Sequence, residues 1–354
     1  MEGRKLFRIL TPALPAALAA SAVLVCRFSR TAADFYAMKV YPAVSAVLSA
    51  ISSPVPFSVN DVLIALFIAA ALALLVLAAA RRISWSEWAL RCLTLALWVF
   101  VWFYAGWCTN YFRSDIFNRT ESTRGEYDWQ VFMRFLEDYT ASLNDAWLPD
   151  MEAACGNIEE SVKEFYGKVP GAFGLCTPRK WQHPKPMLAR RLQSAVGVTG
   201  YMGPLACEFH INSDILPTSL PFTFAHEYAH LLGVSSEAEA NWWAYQACRS
   251  SKDPAVRYSG YFSILAYVWN NALSLLGEEE FAQWCSTLRP EVIEDLAEES
   301  RHWKELRVPA VDKVQTFIYD LFLKANTISS GMKNYSEVVQ MLLFLPDTSV
   351  KDQS

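Results

Sequence analysis

His226-Glu227-Tyr228-Ala229-His230-Leu231-Leu232-Gly233 reads H-E-x-x-H followed by a glycine. On a helix, two histidines four residues apart project from one face, one turn from each other. That spacing brings both imidazoles to one tetrahedral metal ion. The intervening Glu227 then falls beside the water such an ion would hold, where a general base is needed. A third ligand is offered after a short turn, in Glu237-Ala238-Glu239-Ala240-Asn241. The stretch predicts a helical zinc site of the hydrolase kind, with a peptidase as the first expectation.

The helix carries its own boundaries. Pro221 suits a first turn, with Ser219 or Leu220 before it. Phe222, Ala225, Ala229 and Leu232 form an apolar face, and Gly233 is a natural stop. Ser235 or Ser236 can cap the next helix, which puts Glu237 in its first turn. Glu237 and Asn241 are four apart and share a face, so Glu237 is preferred as ligand and Asn241 as its hydrogen-bonding support. Glu239 points about 200° round the helix from Glu237 and stands as the alternative ligand.

Working outward, Cys207-Glu208-Phe209-His210-Ile211-Asn212 alternates polar and apolar residues, a strand signal. Such a strand just before the metal helix suits an extended peptide bound by strand addition. Ahead of it, Gly197, Gly200, Gly203 and Pro204 read as breaks. Helical spacing recurs over 127–145, 152–166, 237–247, 258–276, 279–287, 291–303, 311–325 and 335–343. The predicted domain is mainly helical with a small sheet.

The first 110 residues differ in kind. The chain is 53% hydrophobic, and the excess is concentrated there. Stretches from Ile9 to Val25, Val62 to Ala80 and Trp88 to Trp107 are apolar enough to span a bilayer, which takes about 20 residues. Residues 26–61 read as a connecting loop. Arg4, Lys5 and Arg8 before the first span give it the look of a signal peptide, but two later spans favour a retained anchor. Arg81, Arg82 and Arg91, like the basic N-terminus, fall on the cytoplasmic side by the positive-inside rule. The expected organisation is therefore a membrane region over 1–110 with about three transmembrane helices, and an extracytoplasmic domain over 111–354.

A net charge of -5 with no basic cluster in the soluble part gives nucleic-acid binding no support. Cys26, Cys92 and Cys108 lie in or next to apolar spans, leaving Cys155, Cys176, Cys207, Cys248 and Cys285. Their spacing fits no zinc ribbon, and a Cys155–Cys176 disulfide is one option in an oxidising compartment.

Two resemblances follow. The run from His226 to Tyr245 is similar to the gluzincin type of metallopeptidase, in which H-E-x-x-H is completed by a glutamate from an E-x-x-A-(N/D) helix. It implies Glu237 as ligand, with Ala240 and Asn241 matching the rest. The gap from His230 to Glu237 is shorter than in most gluzincins. A metzincin frame would put the third ligand at Ser236, which cannot replace histidine. Over nearly its whole length the chain resembles the bacterial membrane proteins called domain of unknown function 3810. The shared features are Tyr41-Pro42, Pro56-Phe57-Ser58, Asn110-Tyr111-Phe112-Arg113, the Glu208 strand, Tyr258-Ser259-Gly260-Tyr261, Lys324-Ala325-Asn326 and Asn334-Tyr335-Ser336. The combined fold expectation is N-terminal transmembrane helices followed by a zincin-like α+β metallopeptidase domain.

Other candidates compete with plainer readings. Glu208 either lines the substrate groove or faces solvent, as strand glutamates usually do. Tyr258 and Tyr261, near Arg257, are candidate donors to a tetrahedral oxyanion, or simply core. Tyr228 is expected to pack, His183 and His210 to be ordinary polar residues, and His302 to be exposed. The expected enzyme holds Zn2+ on His226, His230 and Glu237, uses Glu227 as base, and acts on a membrane-proximal peptide or protein. The competing expectation is a catalytically silent membrane protein whose metal is structural or binds a partner. A structural zinc usually has four protein ligands, and Glu227 would then have no purpose.

Overall fold

Apolar helices open the chain. This computed structural model describes residues 11, 13–126, 128–154, 156–309 and 332–346. Its first helices are α1 (Ala13–Phe28), α2 (Arg30–Ser52), α3 (Val59–Ala79) and α4 (Trp85–Gly106). By length and composition, α2, α3 and α4 can each cross a membrane. Ser58 caps α3 by accepting from the Asp61 N–H at 3.0 Å, and Ser84 with Glu87 forms a capping box on α4. Ile64, Leu66, Ile68, Leu72 and Val76 of α3 are all exposed, as on a helix whose solvent is lipid.

The helix α2 corrects the expected loop over 26–61. Its serine face is turned inward: Ser45, Ser49 and Ser52 recur on one face and are buried, while Val47 and Ile51 face out. Hydropathy averaged along the chain hides such a helix, because the polar face dilutes the apolar one. A π turn at Tyr36–Val40 precedes Pro42, whose ring cannot supply the N–H that a regular helix needs. The first expected span begins in residues outside the described ones; its described part is α1.

Two compact units emerge. One holds residues 1–114 together with 179–188 and 203–208; the other holds 115–178, 189–202 and 209–354. The first unit therefore takes in two segments from much later in the chain, unlike the contiguous division expected. Those segments are fastened by polar contacts. Trp102 Nε1 donates to the Leu205 carbonyl at 2.9 Å, and Leu205 N–H donates to Asn60 Oδ1 at 3.2 Å. The buried Lys185 Nζ donates to Glu208 Oε2 at 2.6 Å, to the Ser52 carbonyl at 2.7 Å and to the Phe57 carbonyl at 3.3 Å. Glu208 Oε1 accepts from the Asn60 N–H at 2.7 Å and from Ser58 Oγ at 3.4 Å. The cation thus closes the C-terminal end of α2 and the anion the N-terminal end of α3, each matching the sign of its helix dipole.

The second unit is mainly helical. In order come α5 (Ile116–Arg119), α6 (Trp129–Ala146), α7 (Met151–Ala154), α8 (Ile158–Lys168), α9 (Arg190–Ala195), α10 (Leu220–Leu231), α11 (Glu237–Arg249), α12 (Pro254–Leu275), α13 (Glu278–Thr287), α14 (Pro290–Leu306) and α15 (Met332–Phe344). Apart from its helices, the chain as a whole has three short strands, β1 (Lys185–Pro186), β2 (Gly200–Gly203) and β3 (Glu208–Ile211), in one sheet of order β1-β3-β2. The core centres on α11, buried from Ala238 to Cys248, with α10, α12 and α15 packed round it. At Gly260 the α12 backbone comes so close that a Cβ would stand 2.5 Å from that of Cys248. The helix expected over 311–325, with Lys324 and Asn326, lies outside the described residues, as do Cys155 and the side chain of Tyr335.

Candidate metal centre

The geometry is set by how α10 ends. Gly233 takes φ +100°, a conformation L side chains rarely adopt. Its N–H then reaches the His230 carbonyl at 3.0 Å, and the Val234 N–H reaches the Ala229 carbonyl at 3.1 Å, the two bonds of a Schellman turn. The same turn brings the Val234 carbonyl back to His230 Nδ1 at 2.7 Å. With Nδ1 donating there, Nε2 keeps its lone pair for a ligand. Ser236 then caps α11, its Oγ accepting from the Glu239 N–H at 3.3 Å, and Glu237 becomes the first helical residue.

These two helix ends bring three donor atoms together. His226 Nε2 lies 3.1 Å from His230 Nε2. Glu237 Oε2 lies 3.3 Å from the first and 3.5 Å from the second. Three donors held about 2.0–2.1 Å from a tetrahedral zinc stand about 3.3–3.4 Å apart. The triangle has that size, so His226, His230 and Glu237 could hold such an ion.

Electrostatics agree with a cation-seeking site. Burial works to lower the His230 pKa, but the charge and hydrogen bond of Glu237, then the charge of Glu227 and the Val234 carbonyl, outweigh it and push it up to about 9. Burial would raise Glu237, yet the two imidazoles hold its carboxyl well below the usual range. A proton on the cluster thus does part of what a metal ion would do, and metal entry would displace it.

Glu227, between the two histidines, is buried, and burial pushes its carboxyl up against the opposing charges of His226 and His230. Its neighbour is β2. A Cβ at Gly200 would stand 2.6 Å from Glu227 Cγ and 2.8 Å from Oε1, so any side chain there would displace Glu227. Gly200, which reads as a break in the sequence, is a strand residue lying against Glu227. The strand expected to take up a peptide, Cys207 to Asn212, contains β3, the middle strand of the sheet, and its edges are already paired. By that order β2 is an edge strand of the sheet.

The remaining candidates fall elsewhere. Glu239 is turned away from the cluster and buried in an ion pair with Arg119, and Trp243 Nε1 donates to it at 3.1 Å. Asn241, expected to support Glu237, instead donates from Nδ2 to the Tyr267 hydroxyl at 2.8 Å, and His226 Nδ1 is buried without a hydrogen-bond partner among the described residues. Glu208 neither lines a groove nor faces solvent, because Lys185 holds it inside the first unit. Tyr258 is fully buried and donates to Asp295 at 2.5 Å; burial, then that bond, push its phenol up. Tyr261 packs against Tyr139 and Tyr245. Tyr228 packs on Phe209 and Phe224, and His210 is buried and stacked on Tyr201. His302 is half-buried rather than exposed, donating from Nε2 to the Asp214 carbonyl at 2.6 Å. Arg119 and Tyr267 escaped the sequence reading, and Gly200 was read only as a break; nothing local marks a lone arginine or tyrosine as a neighbour of a distant helix.

Residues 36–343 match the family described as "Protein of unknown function (DUF3810)". The chain belongs to that family. No curated protein and no solved structure matches it.

Proposed function

We propose that the chain is a membrane-anchored, zinc-dependent peptidase. The observation that carries this reading is the triangle of His226 Nε2, His230 Nε2 and Glu237 Oε2, with edges of 3.1, 3.3 and 3.5 Å and Glu227 buried between the histidines. Three donors leave a fourth tetrahedral position open, as a catalytic site needs and a structural one does not. When bound, zinc would bring the pKa of a coordinated water toward neutrality and polarise a carbonyl.

The chain's own residues would do the rest. His230 is fixed in one tautomer by Val234, and Glu237 turns its carboxylate to both imidazoles. Glu227 takes a proton from the attacking water and returns it to the departing amine. Its raised pKa suits both halves of that task. Glu227 lies against the face of β2 at Gly200, and β2 is an edge strand along which an extended peptide would pair its backbone.

We take α2, α3 and α4 as the membrane crossings. Arg27 precedes α2, Arg30 opens it, and Arg81 and Arg82 follow α3, so all four fall on the cytoplasmic side by the positive-inside rule. The chain after α4 then emerges on the extracytoplasmic side, which favours a membrane-proximal protein or peptide as substrate.

The test is hydrolysis of a pool of fluorogenic peptides by the full chain in detergent. Glu227→Gln should lower turnover by about 10²–10⁴-fold while leaving bound metal unchanged. Equal turnover in the variant would remove Glu227 from the mechanism.

A further inference from the structure

Glu237 is the first residue of α11, so the third donor of the cluster sits on the turn most prone to fray, where backbone N–H groups lack intrahelical partners. Besides the Ser236 cap, what holds that turn is Glu239. Trp243 Nε1 donates to its Oε1 at 3.1 Å, and Arg119 pairs with the same oxygen. Arg119 is itself fixed, its Nε donating to the Phe173 carbonyl at 3.1 Å. Both side chains of the pair are nearly inaccessible, at 7% and 5% exposed.

We propose that Arg119 is a positioning residue of the metal centre, setting the first turn of α11 through Glu239 and thereby the carboxylate of Glu237. The inference rests on the zinc reading above. Glu237 and Glu239 are two residues apart in one turn, and a cation at the histidines would attract either carboxylate. Arg119 claims Glu239, which leaves Glu237 to face the imidazoles. Arginine suits the task, since its planar, permanently charged fork can hold a carboxylate and a carbonyl at once. It also ties the ligand turn to α5, at the start of the second unit, rather than to the turn's own neighbours.

The deciding variant is Arg119→Met with Glu239→Gln in the full chain, because removing both charges leaves none buried and unpaired. Zinc affinity is measured by chelator competition, and the thermal midpoint is measured in excess chelator. The expected result is a midpoint like that of the natural chain with zinc bound about 10–100-fold more weakly, the usual effect of losing an outer partner of a ligand. Affinity within threefold of natural would overturn the proposal and leave the zinc reading standing. A natural chain that binds no zinc would overturn both. Should the double variant fail to fold, Arg119→Lys decides. It keeps the charge without the fork, and natural affinity in that variant also overturns the proposal.

Discussion

Replacing Lys185 with methionine removes the cation that closes the junction of α2 and α3. In the natural chain its ammonium meets Glu208 Oε2 at 2.6 Å and two backbone carbonyls, and the two side chains are 7% and 2% exposed. Lys185→Met leaves the Glu208 carboxylate buried without its cation, while the Asn60 N–H and the Ser58 hydroxyl still donate to it. Breaking a buried pair on one side costs about 3–5 kcal/mol, whereas neutralising both sides is often nearly free. At roughly 2–4 °C per kcal/mol for a domain of this size, the single variant should melt about 6–20 °C below the natural chain. Lys185→Met with Glu208→Gln should recover most of that loss. The assay is thermal denaturation of the full chain in detergent, followed by helical circular dichroism. A single variant within about 2 °C of natural, or a double variant as unstable as the single one, would refute the reasoning.

Two further outcomes follow from the site. Gly200→Ala puts a methyl 2.6 Å from Glu227 Cγ, which must retreat by about 1 Å; a displacement of that size costs on the order of 10²-fold in turnover. Zinc content should not change, and a turnover equal to the natural one would show that β2 does not constrain the base. The pH profile tests Glu227 in another way. The base must be ionised to accept a proton, and burial raises its pKa. The acid limb of kcat/KM should therefore lie above the ordinary glutamate value of about 4.3. A limb at or below that value would mean that burial does not govern the group.

What could be read from the sequence divides along a physical line. The boundaries of α10 and the start of α11 were legible because they depend on local chemistry: Pro221 in a first turn, Gly233 at positive φ, a serine cap before Glu237. The convergence of His226, His230 and Glu237 followed from helical spacing plus that short turn. Asn241 shows the limit of spacing. It shares a face with Glu237, yet Tyr267 from α12 takes its amide. Arg119 and Lys185 were illegible for the same reason, since their partners lie 120 and 23 residues away and are chosen by packing. The helix α2 was missed because its serine face turns inward, so Ser45, Ser49 and Ser52 lower the hydropathy of the stretch although they are interior contacts. Gly200 misled most: glycine in a strand signals close approach as readily as a break, and here what approaches is Glu227.

The central claim is a three-ligand metal site, and metal content tests it most directly. Zinc per chain should be measured in the full-length protein, purified in detergent without chelators, for the natural sequence and for Glu237→Ala. The account predicts about one zinc per natural chain and a sharply weakened site in the variant. A natural chain without metal, or a variant that holds zinc as tightly as its parent, would contradict it.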